Sequence, residues 1–374
     1  MQKITDFIKK ETVLTIATVL AVVSAFWVHP GRQYVDYIDW RVLGILLSLM
    51  LIVAGFQSNG LFDAIGSRLL AKTKNTAQLM LVLVFLCFFS SMFITNDVAL
   101  LTFVPFACTI LQKCHQERLI VTTFVLQTLA ANLGSMLTPV GNPQNLYLYS
   151  ISGAGLGEFI GWMAPYTLVS GVLLLLVVFV LSAGKRRISL ETGALLQTSG
   201  AAGRKKNGIY LALFVLSLLS VARVLPWELM LAVVLIVLIF TDRAVFLQVD
   251  YCLLFTFISF FIFIGNMGNI EAVRSVLQSL VAGRELAVGI GASQIISNVP
   301  ATLLLADFTQ DIKNLTIGVN LGGLGTLIAS MASLISYKIY AHNYNKTKGR
   351  YLLWFTIANV LFLAVLVLVY VFIS

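Results

Sequence analysis

Four polar segments interrupt the long apolar stretches of this sequence, and they carry the side chains best suited to binding a solute. Two are short tips and two are glycine-rich: Thr95-Asn96-Asp97, Ser297-Asn298-Val299, Gly134 to Asn145 and Gly322 to Ser333. Their Asn, Ser and Thr residues offer uncharged oxygens, and a helix that ends there presents its last carbonyls to a cation. The amides at the start of a helix suit an anion. The pattern predicts a site for an ion or a small polar solute.

Asp97 is the only ionisable residue in these four segments. An ionisable group at membrane depth is costly and is a functional candidate by default. We therefore predict that Asp97 holds a cation or carries a coupling proton, with capping of the following helix as the alternative. Because the segments contain no Lys or Arg, a strongly charged anion would depend on helix dipoles and backbone amides alone. Weak anions, neutral acids and cations all stay open as ligands.

Side-chain oxygens extend this candidate site from the tips into the glycine-rich segments. The residues expected to line it are Thr95, Asn96, Asp97, Thr138, Asn142, Asn145, Ser297, Asn298, Thr326, Ser330 and Ser333. Small polar residues of this kind also mediate packing between membrane helices, which is the alternative explanation for the set.

The composition indicates the elements that must position these residues. Hydrophobic residues make up 59% of the chain and charged residues 11%, against about 25% charged residues in a typical soluble domain. A membrane helix needs roughly 20 apolar residues, and the stretch 98–111 is shorter than that. Unpaired backbone groups are costly in lipid, so the polar breaks must lie inside protein or beside a watery cavity. We predict an all-α integral membrane fold with about 10–11 transmembrane segments, including two re-entrant hairpins and two broken helices.

The predicted organisation has two repeats joined by a linker. An N-terminal helix and loop occupy 1–39. The first repeat, 40–182, contains a hairpin at 76–111 and a broken helix at 119–149. A cytoplasmic linker follows at 183–207. The second repeat, 208–374, contains a hairpin at 285–308 and a broken helix at 314–337.

Three collinear matches between the two halves support this division. Residues 132–135 match residues 320–323 at an offset of 188, and the tips match at an offset of 202. Gly55 and Asn59 match Gly265 and Asn269 at an offset of 210. With a cytoplasmic N-terminus, most of the 25 Lys and Arg residues fall on cytoplasmic segments, as the positive-inside rule requires. The halves then enter the membrane from opposite sides, which predicts two inverted-topology repeats.

Several function classes lack support in the sequence. The net charge of +9 is explained by topology, so we expect no nucleic-acid partner. The four cysteines form no CxxC pair, and no Cys/His cluster predicts a metal centre or another cofactor. No catalytic pair is visible on the apolar helices, so we do not expect an enzyme. The expected partners are an organic or inorganic solute and the lipid bilayer, and a homodimer stays open.

The four polar segments resemble those of the ion transporter superfamily. The matching motifs are TND at 95–97, ANLGSMLTPVGNPQN at 131–145, SNVPAT at 297–302 and GVNLGGLGTLIASMASL at 318–334. The superfamily includes arsenite-efflux permeases, one class of Na⁺/H⁺ antiporters, citrate permeases and divalent anion/Na⁺ symporters. The tips differ from the Ser-Asn-Thr tips of the symporters and look closer to the arsenite-permease branch.

The resemblance implies that each tip forms a site with the broken helix that faces it. It adds Gly141 and Thr302 to the candidate residues, and a bound sodium ion is expected at Asn96, Asp97 and Asn142. We therefore predict an ion-coupled secondary transporter in the inner membrane that moves an anion or small oxyacid by alternating access, with Na⁺ or H⁺ as coupling ion. The alternative is a Na⁺/H⁺ antiporter that uses Asp97.

Overall fold

The computed structural model describes residues 11–182, 201–344 and 347–373, with side chains described from residue 206 in the second range. These residues contain eighteen α-helices: α1 Thr12–Ser24, α2 Gln33–Asp36, α3 Trp40–Ser58, α4 Leu61–Leu70, α5 Thr76–Ile94, α6 Asn96–Lys113, α7 Ile120–Ser135, α8 Pro143–Ser152, α9 Leu156–Leu181, α10 Ala201–Val221, α11 Trp227–Thr241, α12 Tyr251–Gly268, α13 Glu271–Val281, α14 Glu285–Ile296, α15 Asn298–Ala306, α16 Ile312–Gly322, α17 Met331–Asn343 and α18 Lys348–Ile373. No strand occurs in these ranges, which confirms the predicted all-α fold.

Within the described ranges, five helices are long and apolar enough to cross a membrane: α3, α5, α9, α12 and α18. Shorter apolar helices supplement them, among them α1, α11 and α14. In the long helices α9 and α18, much of the apolar surface faces outward, as expected of a chain dissolved in lipid. The predicted integral membrane protein is thus confirmed, with many of its membrane segments built from short helices.

Helices α5 and α6 form hairpin 1, and the residues at its turn, 95–97, are called tip 1; only Thr95 lies between the legs, and Asn96 and Asp97 begin α6. The legs have 19 and 18 residues, so the second leg is longer than the apolar stretch 98–111 suggested. Its helix extends over polar residues at both ends, with Asp97 in the first turn and Lys113 in the last, where these charges suit the helix dipole. Length alone therefore does not distinguish this hairpin from two full spans.

Helices α14 and α15 form hairpin 2, whose tip 2 comprises residues 297–299. Its legs have 12 and 9 residues, and neither is long enough to cross a bilayer alone. Both tips share one backbone conformation, because Thr95 has φ 69° and ψ 151° while Ser297 has φ 73° and ψ 152°. A positive φ is strained for Thr and Ser, and such strain persists only where the surrounding structure imposes it.

Each hairpin packs against a broken helix. Helix α7 ends at Ser135, and α8 starts after break 1, residues 136–142. Helix α16 ends at Gly322, and α17 starts after break 2, residues 323–330, which includes a short 3₁₀ turn. The Asn142 side chain caps α8, and Pro143 in the first turn needs no donor there.

The same hydrogen bond joins hairpin and break in both halves of the molecule, half 1 running from α3 to α9 and half 2 from α10 to α18. Thr138 donates its hydroxyl to the carbonyl of Met92 at 2.5 Å. Thr326 donates its hydroxyl to the carbonyl of Gln294 at 3.1 Å. The two pairs are related by the offsets of 188 and 202 read from the sequence, so the repeat has equivalent contacts in space.

A second equivalent contact uses a glycine at the end of the helix before each break. A Cβ added at Gly134 would lie 2.6 Å from the hydroxyl of Ser91, and one added at Gly322 would lie 2.7 Å from the hydroxyl of Ser293. Both distances are shorter than real Cβ atoms allow, so each hairpin approaches its broken helix more closely than alanine would permit.

The predicted linker at 183–207 is helical in its last part, because α10 begins at Ala201. Its remainder, 183–200, and the predicted cytoplasmic N-terminus at 1–10 lie outside the described residues.

Candidate functional site

Tip 1 is held against break 1 and α7 through Asn96. Its backbone N–H donates to the carbonyl of Gly141 at 3.1 Å, and its Nδ2 donates to Oδ1 of Asn132 at 3.1 Å. Its own Oδ1 accepts the N–H of Asp97 at 3.0 Å. Asn96 is buried, and each of its polar side-chain atoms has a partner within the protein. We conclude that Asn96 defines the position of tip 1 by joining it to two other elements.

Asp97 has an unpaired oxygen. Its Oδ1 is buried and lacks a hydrogen-bond partner among the described residues. The N-cap residue of α6, Thr95, makes no capping hydrogen bond with its side chain, and Asp97 Oδ1 makes none either. In the described part of the chain, the salt bridge present joins Lys206 to Asp242 and does not involve Asp97. A buried, unpaired carboxylate is strongly disfavoured, so this group is suited to take up a proton or a cation.

Asn142 of break 1 and Asn145 of α8 both make hydrogen bonds that hold the backbone of break 1. Asn142 Oδ1 accepts the N–H of Asn145 at 2.9 Å, and Asn142 Nδ2 lies 3.3 Å from the hydroxyl of Ser135. Asn145 Nδ2 donates to the carbonyls of Met136 and Thr138, both at 3.1 Å. Both amides therefore stabilise an irregular segment whose backbone groups would otherwise be unpaired at membrane depth.

Gly141 is required by the tight path of break 1. A Cβ at this position would lie 2.7 Å from the carbonyl carbon of Ser135, which is closer than backbone atoms tolerate. The same residue supplies the carbonyl that accepts the N–H of Asn96. Gly141 thus lets the chain fold back on α7 and dock tip 1.

A small cavity of about 30 Å³ lies between tip 1, break 1 and α3. Thr95 and Asn142 contribute polar groups to a wall that is otherwise mainly apolar. The volume is sufficient for one water molecule or one ion of similar size.

Tip 2 differs from tip 1 because its polar side chains are left without partners. The hydroxyl of Ser297 is buried and has no hydrogen-bond partner within the described ranges. Asn298 is also buried, and its Nδ2 would lie 2.9 Å from a Cβ built at Gly323, so tip 2 contacts break 2. Thr302 donates back to the carbonyl of Asn298 at 2.7 Å, within its own helix. Ser297 and Asn298 are therefore available to a solute, whereas Thr302 supports the helix.

Break 2 is held by Gln294, a residue that sequence reasoning did not single out. Its Nε2 donates to the carbonyls of Gly322 at 2.9 Å and Leu324 at 2.8 Å, and its Oε1 accepts the N–H of Thr326 at 2.8 Å. One side chain thus pairs three backbone groups of the irregular segment. Its counterpart in half 1 is Met92, so no signal in the repeat alignment could have identified it.

Two asparagines join the halves in a reciprocal arrangement. Asn132, on α7, accepts the hydroxyl of Ser330 at 3.0 Å and donates to the hydroxyl of Ser333 at 3.3 Å. Asn320, its repeat counterpart on α16, donates to Oδ1 of Asn145 at 2.7 Å.

Asn320 completes this arrangement by accepting Nδ2 of Asn142 at 3.3 Å. Each helix thus binds the equivalent residues of the opposite half, because Asn142 and Asn145 correspond to Ser330 and Ser333 at the offset of 188. Asn132 and Asn320 were missed as site residues, although they are the first positions of the clearest repeat match.

The structure therefore brings all four polar segments into one connected centre. Asn96 links tip 1 to break 1 and to α7, Asn132 links α7 to break 2, and Asn298 contacts break 2 from tip 2. Thr326 is exposed at the edge of this centre. Across the described ranges, no group of three His, Cys, Asp or Glu residues could hold a metal ion.

Comparison with known proteins places this arrangement in a family. The family model described as "Citrate transporter" (CitMHS) matches residues 4–315. An uncharacterized transporter of Methanocaldococcus jannaschii is 33% identical over 337 residues, which cover 88% of this chain and 89% of that protein.

Two further relatives differ in extent. The inner membrane protein YbiR of Escherichia coli is 33% identical over 324 residues, or 84% of each chain. The putative transporter arsB of Dictyostelium discoideum is 26% identical over 135 residues, which cover 36% of this chain and 23% of that protein. The resemblance to the ion transporter superfamily is confirmed by these matches. Because the family model spans most of the sequence and two relatives align over most of their length, the chain belongs to the citrate transporter family of integral membrane transporters.

Proposed function

We propose that the protein is an ion-coupled secondary transporter that moves an anion or small oxyacid by alternating access. The observation that carries this proposal is the unpaired carboxylate oxygen of Asp97 at tip 1. A carrier without ion coupling has no need for a carboxyl whose buried oxygen lacks a partner, since an uncompensated charge is costly at membrane depth. A proton or Na⁺ bound there would offset that cost in the loaded state.

Three residues support a sodium site at tip 1. Asp97 supplies a free carboxylate oxygen, while Asn96 and Asn142 each have a carboxamide oxygen that accepts one N–H and retains a second lone pair. The cavity of about 30 Å³ beside Thr95 and Asn142 is of a size for one small ion, and of the three residues only Asn142 lines it. A proton on Asp97 would serve equally well, so the coupling ion is either Na⁺ or H⁺.

The substrate is proposed to bind at tip 2, where the buried Ser297 hydroxyl has no hydrogen-bond partner among the described residues and the Asn298 amide lies against Gly323 of break 2. Helix α15 also begins here, and its N-terminal amides favour an anion. The four polar segments contain no Lys or Arg, so binding would depend on dipoles and neutral donors. A weak or partly protonated acid fits such a site better than a fully charged polyanion.

The second candidate function is Na⁺/H⁺ exchange on Asp97. It is favoured by the same unpaired carboxylate and by the lack of any basic residue in the polar segments. In either case we place the N-terminus in the cytoplasm, on the distribution of Lys and Arg.

Flux into proteoliposomes with an imposed Na⁺ or H⁺ gradient tests the proposal. Radiolabelled citrate, succinate, arsenite and sulfate are compared in the native protein and in Asp97→Asn. Asp63→Asn is the matched control, because this exposed aspartate lies on α4 outside the polar segments. We expect gradient-driven flux of one solute that is lost in Asp97→Asn and retained in Asp63→Asn. Flux that is unaffected by Asp97→Asn would contradict the proposal. Proton movement driven by Na⁺, with no solute flux, would establish the exchanger instead.

A further inference from the structure

Asn132 is the point at which tip 1 and break 2 meet. Its Oδ1 accepts two donors, Nδ2 of Asn96 at 3.1 Å and the hydroxyl of Ser330 at 3.0 Å. Its Nδ2 donates to the hydroxyl of Ser333 at 3.3 Å. Asn96 is 36 positions away in the sequence and Ser330 is 198 positions away, so one oxygen atom connects the two halves.

The four side chains of this hydrogen-bond network are all buried and uncharged. Asn132 is 6% exposed, Asn96 5%, Ser330 1% and Ser333 0%. A buried polar group that loses its partner is not compensated by water, so these side chains must move together or leave a group unpaired. A small network of this kind has few alternative arrangements.

The counterpart in half 2 is connected differently. Asn320 binds Asn142 of break 1 and Asn145 of α8, and its Nδ2 also donates to the carbonyl of Thr316 on its own helix at 2.8 Å. No hydrogen bond joins Asn320 to Asn298 of tip 2 in the part of the chain that the structure describes, so tip 2 lacks the connection that tip 1 has. The hydrogen bonds that Asn132 and Asn320 make to the opposite half are therefore equivalent. Only Asn132 is also hydrogen-bonded to a tip, through Asn96.

We propose that Asn132 is a positioning residue that makes the conformation of break 2 depend on the occupancy of tip 1. The inference rests on the proposed function, since it assumes that an ion or proton binds at tip 1.

The physical sequence has three steps. A ligand at Asp97 attracts the neighbouring Oδ1 of Asn96 and turns that carboxamide. The turn shifts Nδ2 of Asn96, which donates to Asn132. The Asn132 oxygen shared with Ser330 follows, and the start of α17 moves with it. Binding at one tip then selects the conformation of the facing segment in the other half, which is a coupling free energy between two sites.

Hydrogen–deuterium exchange of the full-length protein in nanodiscs tests this directly, without any transported solute. Two probes act at tip 1: sodium chloride compared with choline chloride at equal ionic strength, and Asp97→Asn, which mimics a protonated carboxyl. The readout is the exchange rate of peptides covering break 1 and break 2. We expect at least one probe to change exchange in both breaks by about threefold or more.

Three variants separate coupling from simple loss of structure. In Asn132→Leu, the response of break 1 should persist while the response of break 2 is lost. The double variant Ser330→Ala/Ser333→Ala removes the same link from its other end by deleting only two hydroxyl oxygens. It should have the same effect, and it keeps the test valid if Asn132→Leu does not fold. Asn320→Leu is the matched control, because it removes the equivalent hydrogen bonds to Asn142 and Asn145, and Asn320 has no hydrogen bond to a tip among the described residues. In this variant, the exchange rate of break 2 should still respond to the probes.

Either of two results would overturn the inference: break 2 responds to neither probe in the native protein, or its response survives when Asn132 or its two serine partners are removed. Because no substrate is present, failure here leaves the flux experiment unaffected. A protein that transports normally but lacks this response would show that Asn132 has only a structural role.

Discussion

In both halves of the molecule a hairpin packs against a broken helix with the same backbone geometry, but different side chains stabilise the contact. In both, a residue with positive φ forms the tip, a threonine in the break donates to the hairpin, and a glycine before the break packs on a serine. Half 1 then stabilises its break with asparagines and with the backbone of Asn96, whereas half 2 uses Gln294.

The ionisable group differs as well. Asp97 of tip 1 corresponds to Val299 of tip 2, so a carboxylate is present at one tip only. The hairpin legs also differ, with 19 and 18 residues in half 1 and 12 and 9 in half 2. The comparison indicates that both halves keep the close approach of backbones, which sterics require, while the polar side chains at the two tips differ. This difference supports our proposal that half 1 holds the coupling ion and half 2 a neutral or weakly charged ligand.

The largest expected effect separates the two tip asparagines. Asn96→Ala and Asn298→Ala should each reduce transport to background in the flux assay. Only Asn96→Ala should also lower stability, by about 1–3 kcal/mol, because it removes the side-chain partner of the Asp97 amide and one of the two donors to Asn132 Oδ1. Thermal unfolding in detergent measures this difference. Equal destabilisation by both variants would show that the tips are held alike.

Gly141 and its counterpart Ala329 provide the next test. Gly141→Ala forces a Cβ against the backbone of Ser135 and should destabilise by about 1–3 kcal/mol or more. Ala329→Gly in half 2 should cost about 0.5–1 kcal/mol through chain entropy. Both are read from the midpoint of thermal unfolding. If Gly141→Ala has no greater effect than Ala329→Gly, break 1 is looser than the structure indicates.

Gln294 and Met92 test how each break is stabilised. Gln294→Leu removes the partners of three backbone groups and should cost about 1–3 kcal/mol, while Met92→Leu conserves volume and should cost less than about 1.5 kcal/mol. Faster hydrogen–deuterium exchange in break 2 alone is expected for Gln294→Leu. Exchange that rises equally in both breaks would contradict a local role for this side chain.

The smallest effects are expected at the threonines shared by both halves. Thr138→Val and Thr326→Val each remove one hydrogen bond, worth about 0.5–1.5 kcal/mol. Thr326 is exposed and Thr138 is partly buried, so the cost should be greater at Thr138. Unfolding midpoints of the two variants decide the order. The reverse order would mean that Thr326 is more enclosed in the membrane than its exposure suggests.

Much of the architecture could be predicted from the sequence because it follows from local chemistry. The hydrophobic runs identified a helical membrane protein, and the polar interruptions located both tips and both breaks to within a few residues. The length of α6 was underestimated because polar residues at its ends were excluded from the apolar run. Gln294 could not be predicted, since a glutamine within a helix does not reveal which carbonyls lie beside it.

By itself the sequence determined that helices must span the membrane, where they are interrupted and that the interruptions repeat. These properties follow from hydrophobicity and from the need to pair every backbone group in lipid, and both act over short stretches of chain. Only the tertiary structure decided which polar side chains stay free. Asn142 and Asn145 hold the backbone of break 1, whereas Ser297 and one oxygen of Asp97 have no partner among the described residues. That division depends on contacts such as Asn132 with Ser330, whose partners are 198 positions apart and come together only when the halves pack.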